Sequence, residues 1–281
     1  ETRGQILSFY MISFYASQAI GQFILNIDSN DPLFLFAITA MLCSASVIPL
    51  SMTRVLLPEY EEPAAMNLKA LYHKTASGLI GAFGSGLIMG ALYGLLPVVL
   101  NRIFAERTLV SKYMFILILG GMILQYPVGK ISDVIERRLV IIIVCIAIVA
   151  ITGVLEFVLY DSWMLMLLIA VFGGLTFTLY PLSISYACDA LDGHEIVAGI
   201  QALLIAYSVG AMTGPFLAPG VMAVFDIRGL FIFVVMVVIS LMLFLIYRKT
   251  QSVSMPQEEP YRVIPQTTPI VTELDPRQED E

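Results

Sequence analysis

Apolar runs long enough to cross a bilayer alternate along this chain with short polar breaks. A hydrocarbon core takes about 20 apolar residues of helix, and eight runs reach that length: residues 5–27, 33–52, 77–100, 109–128, 139–160, 163–187, 196–224 and 229–247. They predict eight transmembrane helices and an all-α integral membrane fold. The longest break, residues 53–76, carries Pro58, Glu59, Glu61, Glu62 and Pro63. It divides the chain into a helix pair (1–52), a central connection (53–76), a six-helix unit (77–248) and a polar tail (249–281).

One break differs from the rest. After the apolar run that ends at Gly129, five of nine residues are charged: Lys130, Asp133, Glu136, Arg137 and Arg138. The pattern G-x-x-x-D-x-x-x-R-R predicts a tight turn between two spans, with Gly129 supplying backbone freedom. If this turn is cytoplasmic, that side of the membrane holds Arg3, Arg54, Lys69, Lys74, Lys130, Arg137, Arg138, Arg248 and Lys249, nine cations against four (Arg102, Arg107, Lys112, Arg228) opposite. The excess of Lys and Arg then predicts both termini in the cytoplasm.

Composition agrees with burial in lipid. Residues are 58% hydrophobic and 13% charged, with a mean hydropathy of +0.87. A soluble domain carries about 25% charged residues, so this chain cannot cover a water-facing surface. The net charge of −7 comes mostly from the tail, where residues 256–281 hold seven acids against Arg262 and Arg277. It therefore points to no basic partner, and no nucleic-acid partner is expected. The three cysteines and two histidines fall at no metal-ligand spacing. No phosphate-binding loop, H-E-x-x-H or G-x-S-x-G is present, so neither a metal, a cofactor nor an enzymatic activity is expected.

The chain also contains an internal echo. Gly21-Gln22 in the first span aligns with Gly214-Pro215 in the seventh, an offset of 214 − 21 = 193, and Phe34-x-Phe36 aligns with Phe231-x-Phe233. The first two spans then read as the end of one six-helix copy and the last six as a second, complete copy. On that register about four spans would precede Glu1.

With spans, orientation and repeat assigned, the polar turn resembles the signature loop of the major facilitator superfamily. The stretches Arg3-Gly4-Gln5, Ala91-Leu-Tyr93-Gly94-Leu-Leu-Pro97, Gln125-Tyr-Pro127-Val-Gly129, Thr176-Phe-Thr178-Leu-Tyr180-Pro181 and Gly214-Pro215 are similar to the YcaD-type branch of that superfamily. The resemblance implies a twelve-helix monomer in a bacterial inner membrane, moving a small solute by alternating access with a proton as candidate coupling ion. It leaves the substrate open. A competing reading of the same spans is a non-transporting membrane subunit or a degenerate transporter fragment.

Candidate functional residues fall into three groups. Gly129, Asp133, Arg137, Arg138 and Arg3 form an expected conformational latch, with Asp133 meeting the positive end of the first helix near Arg3. Tyr93, Thr176, Tyr180, Ser183, Gln201, Tyr10 and Gln18 are the expected cavity residues: Tyr93 through the resemblance, Thr176, Tyr180 and Ser183 as a polar stripe at helical spacing. Gly86, Gly90 and Gly94, with Gly214 and Pro215, are expected to let helices approach closely. Glu156 is the one acid within a span and lies near its end, so the spans themselves offer no mid-membrane acid.

Overall fold

The apolar runs fold as helices whose ends are set by local chemistry. The computed structural model describes residues 13–27, 33–52, 67–155, 157–158, 162–192 and 195–249. Helix α1 covers residues 13–21 and tightens into a 3-10 turn at Gln22–Asn26. It is followed by α2 (Leu33–Met52), α3 (Leu68–Phe104), α4 (Arg107–Val134), α5 (Arg137–Leu155), α6 (Trp163–Cys188), α7 (Ile196–Phe225) and α8 (Gly229–Lys249). Asn67 caps α3 by accepting the Lys69 N–H at 3.3 Å, and Ser162 caps α6 by accepting the Leu165 N–H at 3.2 Å. Such side-chain acceptors satisfy amides that a helix start leaves open. Ala105 ends α3 in the left-handed region (φ 52°), which turns the chain into α4 within two residues.

Five described segments are long and apolar enough to cross a membrane: Leu68–Phe104, Arg107–Val134, Arg137–Leu155, Trp163–Cys188 and Ile196–Arg248, the last of which contains both α7 and α8. Helix α3 starts nine residues before the expected boundary at 77, and Thr75 (φ −141°, ψ 68°) separates its first turns from the apolar part.

Small residues decide how α3 to α7 pack. A side chain at Gly86 or Gly90 would run into the backbone carbonyls of Tyr207 and Ala211 on α7. Reciprocally, a side chain at Gly210 or Gly214 would strike the carbonyls of Phe83 and Leu87 on α3. Gly94 continues this seam to Pro215, where an added Cβ would sit 3.5 Å from the ring. A second seam joins α4 to α6, with Gly120 against the Ala170 carbonyl and Gly173 against that of Leu117. In lipid, where no hydrophobic effect separates helix from tail, such close backbone approach supplies the van der Waals contact that holds helices together. Ion pairs close the first seam at both ends: Lys74 to Glu195 at 2.6 Å and Arg102 to Asp226 at 3.5 Å.

Helix α2 lies at the edge of this arrangement with its apolar side chains outward. Phe36 is 74% exposed, Met41 74% and Met52 80%. In water such a surface would be a liability; in a bilayer it is what faces lipid or another helix.

Candidate functional site

Midway along the helices, aromatic and amide side chains from five elements converge. Tyr93 on α3 donates its hydroxyl to Gln18 Oε1 on α1 at 3.1 Å, joining residues 75 positions apart. The Tyr93 ring stands edge-on to Phe177 of α6 (centroids 6.0 Å), and Tyr15 of α1 approaches the same Phe177 at 6.1 Å. Tyr180 of α6 and Tyr207 of α7 pack ring to ring at 4.5 Å. Gln125 of α4 places its amide beside the Tyr15 hydroxyl. The buried side chains here are uncharged: among the described residues, the buried charged ones are Arg137 and Arg138, at one end of the bundle.

Toward the other end, α1 meets α4 again. Ser111 donates to Asn26 Oδ1 at 2.8 Å, and the Phe23 and Phe115 rings lie 5.0 Å apart. The contacts of α1 with the bundle are thus made by side-chain tips, where the α3–α7 seam is made by backbone.

The polar break behaves differently from its sequence reading. Gly129 is not at a turn: α4 continues as helix through Val134, and among the described residues no glycine has positive φ. The turn falls at Ile135 (φ −113°, ψ 148°) and Glu136, so Gly129, which is buried within the helix, supplies no backbone reversal. The expectation failed because a helix that leaves the bilayer goes on satisfying its own amides, although its residues stop being apolar. Arg137, 2% exposed, reaches three acceptors: Asp133 at 3.4 Å, the Ser185 carbonyl at 2.8 Å, and the Asp189 carboxylate. Arg138 donates to the Tyr186 hydroxyl at 2.5 Å, with its guanidinium 5.5 Å from the centre of that ring. Both arginines therefore fasten the α4–α5 turn to the end of α6. Arg3, the other member of the expected latch, lies outside the described residues.

The expected cavity residues separate on inspection. Tyr93, Gln18 and Tyr180 belong to the central cluster. Thr176 and Ser183 are fully buried, with hydroxyls bonded back to Phe172 and Leu179 of their own helix at 2.9 and 2.7 Å. Ser183 faces Gly81 of α3, so in this conformation it fills a helix contact and does not line an open space. Gln201 is half-buried six residues before Tyr207, and no described hydrogen bond ties it to the cluster. Tyr10 and Glu156 lie outside the described residues. Among the described residues no three His, Cys, Asp or Glu side chains come together as a metal site.

Sequence reading passed over Tyr15, Gln125, Tyr207 and Asp189. An amide in an apolar run is itself a signal, because an unsatisfied amide in hydrocarbon is costly, and Gln125 carried it.

The family model of the Major Facilitator Superfamily matches residues 78–272. This chain belongs to the major facilitator superfamily. It is a multi-pass membrane protein, and its family is one of transporters. It is 30% identical over 236 residues to the uncharacterized MFS-type transporter YcaD of Shigella flexneri serotype 5b (strain 8401), a match that covers 83% of this chain and 61% of the relative. The YcaD proteins of Escherichia coli O139:H28 (strain E24377A / ETEC) and Escherichia coli (strain SE11) match at the same identity and coverage. The chain thus spans about three fifths of the length of these superfamily relatives. No solved structure matches it.

Proposed function

We propose that the protein is a secondary transporter that moves a small uncharged solute by alternating access, with α1 and α2 belonging to one helical half and α3 to α8 forming the other. The observation that carries this reading is the Tyr93–Gln18 hydrogen bond, mid-helix, between an element of each half. A substrate site at such a boundary is reached from either face as the halves rock, which is what alternating access requires.

The contacts at the two ends of α1 fit the same scheme. Ser111–Asn26 and Phe23–Phe115 can part without disturbing any backbone seam. At the opposite end Asp133, 30% exposed, holds Arg137, and it is the residue we read as the latch of that end. The Lys and Arg distribution supports a cytoplasmic position for that end and for both termini, and the bacterial relatives support an inner membrane as the site. The exposed apolar faces of α2 suit further helices of the first half, giving eight spans in this chain and more in the whole protein.

The test is solute flux in inverted vesicles carrying the complete natural chain, with and without a proton gradient. Gradient-dependent uptake or efflux of a neutral solute is the expected result. Facilitated flux that ignores every ion gradient would remove the secondary-active part of the reading, and absence of any flux would favour a non-transporting subunit.

A further inference from the structure

Helix α3 is interrupted at a residue that nothing in its sequence requires to be non-helical. Thr75 has φ −141° and ψ 68°, and the proline inside α3, Pro97, lies far along the helix. A kink at a proline is permanent, because the amide is missing. At Thr75 every amide is present, so the break can close.

The side chain of Thr75 pays for the bend. Thr75 is 2% exposed, and among the described residues its hydroxyl is the one shielded Ser or Thr hydroxyl without a hydrogen-bond partner. The buried hydroxyls of Ser85, Thr152, Thr176, Thr178 and Ser183 each donate to a carbonyl three or four residues back, at 2.7–2.9 Å. The backbone accounts for the exception. At φ −141° the Thr75 side chain is turned away from the preceding turn, whereas in a continuous helix it lies against the carbonyl of Leu71 or Tyr72. The bent form is held by other groups: Leu71 is fully buried, and Lys74 donates to Glu195 at the start of α7 at 2.6 Å. Straightening at Thr75 swings both away and gives the hydroxyl its acceptor, so each form satisfies what the other leaves open.

Resting on the transport reading above, we infer that Thr75 is a two-state hinge. In this conformation α3 bends there; in the alternate one it runs straight, with the Thr75 hydroxyl bonded to the Leu71 carbonyl and Lys74 released from Glu195. The position suits the task. The chain leads from α2, in one proposed half, into residues 68–74 at the head of the other, so relative displacement of the halves pulls on that short segment. The glycine seam to α7 begins at Gly86, beyond the hinge, and is left undisturbed.

The experiment uses the complete natural chain in nanodiscs, with its native cysteines replaced by alanine and spin labels at Lys69→Cys and Ile143→Cys, both exposed positions. Two distances are expected, one of them the separation in this structure. Thr75→Val keeps the branched shape and removes the hydroxyl, and is expected to lower the ratio of straight to bent about tenfold, since only the straight form loses a hydrogen bond. Thr75→Ser, which keeps the hydroxyl, should stay near the wild-type ratio. Glu195→Gln weakens the hold on Lys74 and is expected to raise the ratio about threefold. A single distance in both wild type and Glu195→Gln, or two distances whose ratio ignores Thr75→Val, overturns the hinge. Neutral-solute flux by the same proteins separates the two readings. Flux with one fixed distance overturns the hinge alone, while two distances that respond as expected without any flux overturn the transport reading and leave the hinge standing.

Discussion

The α3–α7 seam and the α1–α4 boundary are both helix contacts, yet they are built from opposite materials. In the seam, Gly86, Gly90, Gly210 and Gly214 bring backbone against backbone, and ion pairs close it at both ends. At the boundary, Ser111–Asn26, Phe23–Phe115 and Gln125–Tyr15 meet by their side-chain tips. A seam with no side chains between its backbones has nothing that can rotate out of the way, so it translates as one body. A boundary of side-chain tips separates by rotamer changes and the loss of a few hydrogen bonds, each worth about 1 kcal/mol. Under the proposed alternating access, the difference marks where the helices would part and where they would move together.

The largest effect should come from filling the seam. Gly90→Leu drives a side chain into the Ala211 backbone and is expected to cost more than about 4 kcal/mol, enough to abolish a monodisperse folded protein in detergent. Gly153→Leu, at a glycine with nothing within 4 Å, should leave the melting temperature nearly unchanged and serves as its control. If both are tolerated alike, the rigid-seam half of the comparison fails.

Next is the arginine clamp. Arg137→Ala leaves the Asp189 carboxylate, 7% exposed, without its guanidinium. Removing one partner of a buried pair costs about 3–5 kcal/mol. A double variant that also carries Asp189→Ala should recover part of that in thermal melting, because no buried charge is then uncompensated.

The boundary can be locked without harming the fold. In a Cys43→Ala, Cys145→Ala, Cys188→Ala background, oxidising Asn26→Cys with Ser111→Cys should stop flux, preserve the melting temperature, and be reversed by reductant. Flux that survives complete cross-linking would show that this contact need not open. The smallest effect belongs to Asp133→Asn, which keeps the shape of the side chain but removes its charge. It should slow flux while leaving membrane insertion and stability close to wild type; unchanged flux would dispose of the latch.

Much of the seam was legible in the sequence, because Gly86, Gly90 and Gly94 recur every four residues and that spacing lines one helix face. The helices themselves were legible because length and apolarity in a bilayer leave little choice but helix. What escaped was long-range or polar. Asp189 and Arg137 meet across 52 positions, and Tyr15 meets Gln125 across a still longer stretch of chain, through contacts that no local pattern encodes. The extension of α4 past Gly129 escaped for a different reason: hydropathy reports where lipid ends, and the helix does not end there. Thr176 and Ser183 show the limit of stripes, since a hydroxyl at helical spacing can bond back to its own backbone as readily as face a solute.

The most direct test of the account is a pair of spin-label distance distributions measured on the complete natural chain in lipid, with and without a proton gradient. One pair sits across the boundary, at Ile27 and Thr108, and the other across the seam, at Asn101 and Val224, all exposed positions. The boundary pair should show two distances whose populations shift with the gradient, while the seam pair keeps one narrow distance throughout. A seam pair that moves with the boundary pair, or a boundary pair that never moves, would contradict it.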